Sequence, residues 1–307
     1  MSLPRMEDVG TLITEINSKK LKNDEGGSIH TRHSRDTFKI IQKCVGENEM
    51  SWDLSGTYLH NLCDDCNQYE IEHLGHEKDS HFEKMILVEF YASRNYLEGF
   101  SNDVVRILGK TIFTERLRKL NLSCNNLTKF PPLKELVNLQ ELLLSNNKIS
   151  EIDPQLENCV YLEKLDLKMN RIAFIKHLPL PINGSTSNKL VYLSLSCNQI
   201  IDFNDKEIQK CRKLQHLGLF GNLIETPLAQ LLVLLSESCG TVLQELWLQA
   251  NPITPISSIT ADENVLGVRN RVETSSRMTP LTRDMEIELI HNKFPALSHY
   301  NGMYLKQ

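Results

Sequence analysis

A short phrase that recurs along the chain constrains its fold more than any other feature of the sequence. Leu-x-x-Leu-x-Leu-x-x-Asn-x-Leu/Ile occurs seven times between Leu87 and Ile253, with some leucine slots substituted. The copies begin at Leu87, Leu117, Leu139, Leu162, Leu190, Leu214 and Leu243. Successive starts lie 30, 22, 23, 28, 24 and 29 residues apart. A unit repeated at this spacing predicts a solenoid, in which each turn buries its apolar side chains by stacking on its neighbours.

Within each copy, the residue types predict a strand followed by a bend. The Leu-x-Leu alternation is typical of a short strand whose leucines point into the solenoid and whose intervening residues point out. Strands of successive turns are expected to pair in parallel, about 4.8 Å apart, on the inside of a curve. The asparagine of each copy marks the bend, where its amide is expected to satisfy unpaired backbone groups. These asparagines occupy positions 95, 125, 147, 170, 198, 222 and 251, and we predict a structural role for them.

The phrase resembles the leucine-rich repeat family. After the asparagines of the Leu117 and Leu139 copies, residues 127–133 and 149–152 look like an intracellular subclass of that family. The subclass includes the nuclear regulator of protein phosphatase 1, the axonemal dynein light chain and the spliceosomal A-prime protein. The resemblance implies an α/β solenoid of about seven to eight turns. Its curved parallel sheet is expected on the concave face, with helices, 3-10 turns and loops on the convex face.

The resemblance extends toward both ends of the chain. An eighth, degenerate copy is predicted at residues 49–59, where Thr57 takes the asparagine slot. Residues 285–302 resemble the cap that closes such solenoids, a helix followed by Phe-Pro-x-Leu and a final turn. A cap of this kind covers the hydrophobic edge that a last repeat would otherwise expose.

These boundaries divide the chain into three parts. Residues 1–45 are expected to form a flexible N-terminal arm and cap, because a polar run with adjacent glycines precedes the first copy. Residues 46–253 form the predicted solenoid, and residues 254–307 form a loop and the C-terminal cap.

Composition and charge are typical of an intracellular protein. With 34 Lys+Arg against 39 Asp+Glu, the net charge is −5, so nonspecific nucleic-acid binding is not expected. No stretch is apolar enough to cross a membrane, and the amino terminus lacks the pattern of a signal peptide. Cys159, Cys211 and Cys239 stand in register with the repeats, which favours reduced, buried thiols. We expect a monomer in the cytoplasm, with the nucleus or the cilium as alternative locations.

The sequence carries no catalytic constellation, so we predict that the protein is not an enzyme and needs no cofactor. One cluster deserves comparison with a metal site: Cys63, Cys66, His73 and His76 supply four zinc-type ligands. The gap between the two pairs is shorter than in common zinc-binding spacings. We therefore favour a solvated connection without metal, and a zinc site remains the alternative.

The register of the repeats predicts three columns of side chains on the concave face. The column between the second and third leucines contains Asp53, Tyr91, Asn121, Leu143, Asp166, Ser194, Gly218 and Trp247. The column two residues earlier contains Ser51, Glu89, Lys119, Glu141, Lys164, Tyr192, His216 and Glu245. The column two residues later contains Ser55, Ser93, Ser123, Ser145, Lys168, Ser196, Phe220 and Gln249.

The columns carry charged residues in the centre and aromatic residues toward the last three strands, and this difference predicts a partner-binding site. Outward-facing aromatic side chains have no core to cover them, and such residues are typical interface anchors. The candidate partner-binding residues are Tyr192, His216, Phe220 and Trp247 at the aromatic end, with Leu143, Lys164, Asp166 and Lys168 in the centre. Gly218 is expected to leave a hollow between Phe220 and Trp247. The alternative is that Trp247 and Phe220 stack on each other or are covered by residues 254–284.

The favoured function is a non-enzymatic scaffold or adaptor that binds a protein or peptide on its concave face. The charged centre would steer the partner and the aromatic end would anchor it. The family resemblance implies a role in phosphatase regulation or in ciliary or cytoskeletal assembly. The alternative is a ribonucleoprotein component that binds RNA jointly with a partner protein. RNA contact would ordinarily need a basic stripe with interleaved aromatics, which the columns lack.

Overall fold

In the part of the chain that the structure describes, twelve strands form one sheet in chain order. The structure is a computed structural model that describes residues 11–17, 37–46, 49–56, 86–100, 115–182, 184–203, 205–252, 288 and 290–305. Its strands are β1 (Thr11–Asn17), β2 (Thr37–Gly46), β3 (Glu49–Asp53), β4 (Ile86–Tyr91), β5 (Lys119–Asn121), β6 (Glu141–Leu143), β7 (Lys164–Asp166), β8 (Tyr192–Ser194), β9 (His216–Gly218), β10 (Glu245–Trp247), β11 (His299–Tyr300) and β12 (Met303–Tyr304). The zinc candidates Cys63, Cys66, His73 and His76 lie outside the described residues.

Strands β3 to β10 run parallel to one another, which confirms the predicted solenoid sheet. Strands β4 to β10 belong to the seven clear copies of the phrase, and β3 belongs to the degenerate copy. Each strand also aligns with its neighbour at the predicted register, as where Leu120 faces Leu142 and Leu142 faces Leu165. Although the repeats differ in length, equivalent positions of the phrase pair with one another in every strand from β4 to β10.

The sheet continues beyond the repeats with two further strands at each end, one of which runs antiparallel to the repeat strands. Strand β2 pairs antiparallel with β3, and β1 pairs antiparallel with β2, with Ile13 opposite Ile41. At the other end β11 is parallel to β10, and β12 returns antiparallel to β11. In the region predicted to be a flexible arm and cap, residues 11–17 and 37–46 thus extend the sheet as strands.

The core lies between this sheet and the convex side. Inward leucines such as Leu142, Leu165 and Leu193 are fully buried, because each is enclosed by the turns above and below it. The convex side includes a 3-10 helix (Pro154–Asn158), helix α1 (Asp205–Ile208) and helix α2 (Leu228–Cys239). Helix α2 buries Leu228, Leu231, Leu232 and Leu235, a spacing that places them on one helical face. None of the helices in the described ranges is long and apolar enough to cross a membrane.

The asparagines form a continuous ladder of hydrogen bonds through the solenoid. In the Leu162 copy, Asn170 Nδ2 donates to the Leu167 carbonyl of its own turn at 3.0 Å and to the Leu144 carbonyl of the preceding turn at 2.9 Å. Asn170 Oδ1 accepts the backbone N–H of Ile149 at 3.0 Å. The same two-carbonyl pattern is repeated by asparagines 95, 125, 147, 198, 222 and 251. Each asparagine therefore joins two consecutive turns and is at most 8% exposed.

The residue before each ladder asparagine has a positive φ, which turns the chain out of the strand. Most of these residues are not glycine, including Cys124 (φ 57°), Met169 (φ 57°) and Cys197 (φ 56°). The left-handed conformation is costly for residues with a Cβ and persists where the surrounding structure demands it. Gly221 (φ 66°) is the one glycine among the seven residues that precede the ladder asparagines. The ladder therefore overrides the local backbone preference in most turns.

The described part of the C-terminal cap closes the last repeat. Residues 290–293 are helical, and Phe294 and Leu297 are 2% and 3% exposed. Asn301 and Gly302 form the turn between β11 and β12 with positive φ values of 49° and 74°. Asn301 Oδ1 accepts the backbone N–H of Leu248 at 2.7 Å, so the cap satisfies a backbone donor of the Leu243 copy.

Substituting Asn170 with Ala is expected to destabilise the protein by about 3 kcal/mol, because three buried backbone groups lose their partner. The control is Asn138→Ala, since the Asn138 side chain is exposed and its hydrogen bond to the Glu115 carbonyl is solvated. It should cost less than about 0.5 kcal/mol. Urea unfolding followed by circular dichroism measures both values. Equal costs for the two variants would contradict the structural role of the ladder.

Candidate concave binding surface

The outward residues of the parallel strands form the three columns that the repeat register predicts. Neighbouring strands place Tyr192 beside His216 and His216 beside Glu245 in the column that begins at Ser51. The column that begins at Asp53 brings Leu143, Asp166 and Ser194 side by side. Most of these side chains are half-buried, since neighbouring strands lie close together and cover part of each one.

Across β4 to β6, charged side chains of one column pair with each other. Lys119 Nζ lies 3.2 Å from Glu89 Oε1 and 3.6 Å from Glu141 Oε1. The hydrogen bond to Glu89 is the main cause that raises the pKa of Lys119. The Tyr91 hydroxyl donates to Glu89 at 3.1 Å, and burial together with Glu89 raises the pKa of Tyr91. The charged side chains of this column are thus paired with one another at this end of the face.

Across β7 to β10, four side chains of the same column form a continuous row, which we call the aromatic row: Lys164, Tyr192, His216 and Glu245. Lys164 Nζ lies 5.3 Å from the centre of the Tyr192 ring, a cation–π distance. The Tyr192 and His216 rings stack with centroids 4.3 Å apart and an interplanar angle of 9°. His216 Nδ1 lies 2.7 Å from Glu245 Oε2. Both faces of the Tyr192 ring are therefore occupied by residues of the chain itself.

Burial lowers the pKa of His216 more strongly than the neighbouring Glu245 carboxylate raises it. Desolvation is the largest effect on the His216 pKa and lowers it from the ordinary value of 6.5. Glu245 acts in the opposite direction through charge and hydrogen bonding, but the net direction remains downward. A neutral His216 that donates from Nδ1 to Glu245 is consistent with both the 2.7 Å contact and the lowered pKa.

Trp247 has a structural contact that the sequence does not reveal. A Cβ added to Gly302 would lie 3.4 Å from Trp247 Cζ3, so the indole ring lies directly beside the turn of the cap. Beside this ring, the Gln249 side-chain amide donates to the Asn301 carbonyl. The expectation that the outward aromatics lack intramolecular cover is therefore wrong for Trp247 and for Tyr192. Residues 254–284, the alternative cover, fall outside the described residues.

The hollow expected at Gly218 is narrower than the sequence implies. A Cβ at Gly218 would lie 2.8 Å from Ser196 Oγ and 3.2 Å from Ser194 Oγ. Hydroxyl groups thus occupy the space next to this glycine. Phe220, two residues further along the chain, is half-buried.

The centre of the face presents charged groups that remain available for a partner. Lys164, Asp166 and Lys168 form no ion pair within the described part of the chain. Asp166 Oδ1 accepts the backbone N–H of Lys168 at 3.0 Å, which fixes the carboxylate beside the strand end. Leu143 lies next to Asp166 in the neighbouring strand and is half-exposed. The structure therefore brings all eight candidate residues onto one face, between β6 and β10.

Sequence reasoning missed a group of more exposed apolar residues at the edge of the solenoid. Phe174, Ile201 and Leu223 are 52%, 47% and 50% exposed, more than the half-buried residues of the concave aromatic end. They follow ladder asparagines by four, three and one residues. Other copies carry mostly polar or small residues at these positions, including Asn126, Lys129, Lys148, Ser150 and Gln199. An alignment of the copies on their asparagines would have revealed this difference.

The lowered pKa of His216 predicts acid sensitivity. Because the unfolded chain binds a proton at His216 more readily, its contribution to stability is present above pH 6.5 and declines as the pH falls below it. Glu245→Gln should lower the His216 pKa further, because Glu245 raises it. Titration of the His216 ring by NMR in both proteins measures this shift, with the exposed Glu237→Gln as the control. A His216 pKa that rises in Glu245→Gln would contradict the assignment.

Trp247→Ala is expected to loosen the C-terminal cap, because the indole packs beside Gly302. The expected cost is about 1–3 kcal/mol, and Phe220→Ala should cost less than about 1 kcal/mol. Hydrogen exchange of the Asn301 amide, which donates to the Leu246 carbonyl at 2.9 Å, reports on the cap directly. Exchange should accelerate in Trp247→Ala and stay unchanged in Phe220→Ala. Unchanged exchange in both variants would show that Trp247 does not support the cap.

Comparison with known proteins supports the repeat assignment. Models of leucine-rich repeats match residues 116–134 and 137–180. The chain is 29% identical over 170 residues to a probable inactive serine/threonine-protein kinase of Dictyostelium discoideum. This match covers 46% of the chain and 9% of that protein, so the chain spans only a small part of the relative.

Two solved structures align with part of the chain. A leucine-rich repeat protein of Leptospira interrogans matches with 23% identity and a TM-score of 0.41, covering 72% of this chain and 55% of that one. Internalin C2 of Listeria monocytogenes matches with 19% identity and a TM-score of 0.43, covering 67% of this chain and 74% of that one. The repeated phrase, the asparagine ladder and the parallel sheet together establish a leucine-rich repeat fold, which typically serves as a protein-interaction module.

Proposed function

We propose that this protein is a non-enzymatic scaffold that binds a protein or peptide partner on its concave face. The observation that carries the proposal is that the charged residues Asp166 and Lys168 lie on the same sheet as the aromatic row, which itself includes Lys164. Charged groups that form no ion pair within the described residues can meet complementary charges of a partner and steer association. The partner-binding residues we propose are Leu143, Lys164, Asp166, Lys168, Tyr192, His216, Phe220 and Trp247.

The geometry of the row supports binding because it is already ordered. Tyr192 is held between Lys164 and His216, and His216 is held by Glu245. These side chains lose little conformational freedom when a partner contacts them, because they are already held in place. Such preorganisation strengthens binding. In this arrangement the exposed edges of the row contact the partner, while the ring faces keep their internal neighbours.

The Leu117 and Leu139 copies resemble the intracellular subclass, and this resemblance is our basis for proposing the cellular processes in which the scaffold acts. We place it in phosphatase regulation or in ciliary or cytoskeletal assembly, with the protein in the cytoplasm, the nucleus or the cilium. A monomer suits this role, because the concave face of a single chain is then free for the partner.

The test is a quantitative pull-down with two charge-matched double variants. Lys164→Glu with Lys168→Glu reverses the charge of the concave centre, and Lys134→Glu with Lys148→Glu makes the same change at exposed sites elsewhere. The concave variant should weaken a partner by about tenfold, and the control should retain it. Melting curves verify that both variants fold. Partners that bind both variants equally well would refute the concave surface.

A further inference from the structure

Three segments that follow the ladder asparagines run side by side along the edge of the solenoid. The backbone N–H of Ile201 donates to the Ala173 carbonyl at 3.4 Å, and the N–H of Glu225 donates to the Ile201 carbonyl at 3.3 Å. Phe174 and Asp202 form an isolated parallel bridge. These contacts bring residues of three consecutive turns together, on an edge separate from the outward columns of the strands.

Of the exposed apolar side chains of these segments, Ile201 lines an open groove of about 540 Å³, and Phe174 lies on the neighbouring segment, opposite Asp202. Ile201, Phe203, Pro227 and Leu234 supply its apolar lining, and Leu223 is exposed two residues before Glu225. Phe203 is only 5% exposed and anchors the floor, whereas Leu234 comes from helix α2. Large exposed apolar side chains beside a groove are the usual mark of an interaction site.

The charge of the groove narrows the kind of partner. Asp202 and Glu225 are exposed members of its lining, and neither forms an ion pair within the described ranges of the chain. Thr226 and Gln230 complete the lining, which contains no basic side chain. Lys176 is not part of the lining, and its Nζ lies 4.9 Å from the centre of the Phe174 ring. The groove itself therefore combines an apolar floor with two carboxylates at its mouth.

We propose that this groove binds a segment of a partner protein that inserts bulky apolar side chains and places an arginine or lysine beside Asp202 and Glu225. An apolar anchor next to a charge-assisted contact satisfies both chemical features of the groove. The site goes beyond the concave surface, because none of its residues belongs to the three outward columns. The protein would thus hold two partners, or two parts of one partner, on separate surfaces.

Selection of random peptides of about 12 residues, displayed on phage, against the full chain tests this proposal. The selected sequences should share bulky apolar residues next to Arg or Lys. Synthetic copies of these sequences are then titrated by fluorescence anisotropy. Ile201→Asp should weaken binding by about tenfold, and so should Asp202→Asn with Glu225→Gln. The loss in the second variant should shrink at high salt, because the contact is electrostatic.

Matched controls separate a specific site from a general effect. Val137→Asp places a charge on an exposed apolar position outside the groove and its helix, and Glu135→Gln with Glu163→Gln removes two exposed carboxylates elsewhere. Both controls should bind the selected peptides as the unmodified chain does. If Ile201→Asp fails to fold, Leu223→Asp replaces it, since Leu223 is 50% exposed.

Several results would overturn the proposal. If the selected peptides lack basic residues, or if Asp202→Asn with Glu225→Gln leaves their binding unchanged, the Asp202 and Glu225 carboxylates do not contribute to recognition. Loss of binding in Lys164→Glu with Lys168→Glu alone would place the peptides on the concave face. Self-association in sedimentation equilibrium that Leu223→Asp abolishes would make a second copy the occupant. Failure to select any peptide would show that the groove is not open to a partner.

Discussion

The hydrogen bonds of the buried asparagines are the interaction on which the rest of this structure depends. Each one joins the carbonyl of its own turn to the carbonyl of the preceding turn, as Asn170 does. Those at positions 125, 147, 170, 198, 222 and 251 accept a backbone N–H as well. A turn therefore cannot shift along the sheet without leaving buried polar groups unpaired, which would cost about 1–3 kcal/mol for each group. The ladder fixes the register of the strands, and the register decides which side chains share a column on the concave face.

That fixed register explains why the concave face is ordered without a partner. Lys119 is held between Glu89 and Glu141, and Tyr192 is held between Lys164 and His216. Between these two groups, Asp166 and Lys168 form no ion pair in the part of the chain that the structure describes. We infer that the paired residues supply rigidity and that the unpaired charges and exposed ring edges supply recognition. The edge groove at Ile201 and Asp202 adds a second surface of different chemistry, which we propose for a basic and apolar segment.

The sequence predicted those features that follow from the repeat period. All three columns, the parallel strands and the burial of the asparagines depend on a phrase that can be read directly. Contacts between side chains depend on rotamers and on non-repeating segments, which a period does not encode. The stacking of Tyr192 on His216 and the contact of Trp247 with Gly302 are of this kind. Strands β1 and β2 lie outside the phrase, so their antiparallel pairing was not predicted. Phe174 and Ile201 were missed because they lie beyond the strand positions on which the columns were built.

We propose that a partner contacts the concave face between β6 and β10. Site-specific photocrosslinking in cells tests it most directly, with benzoylphenylalanine incorporated in place of Leu143 and, separately, in place of Val137. Both positions accommodate a large side chain, since Leu143 is half-exposed on the concave face and Val137 is 37% exposed away from the outward columns. If a partner binds the concave face, position 143 should give a discrete crosslinked partner that position 137 does not give. Crosslinks of the same partner from both positions, or from position 137 alone, would contradict it.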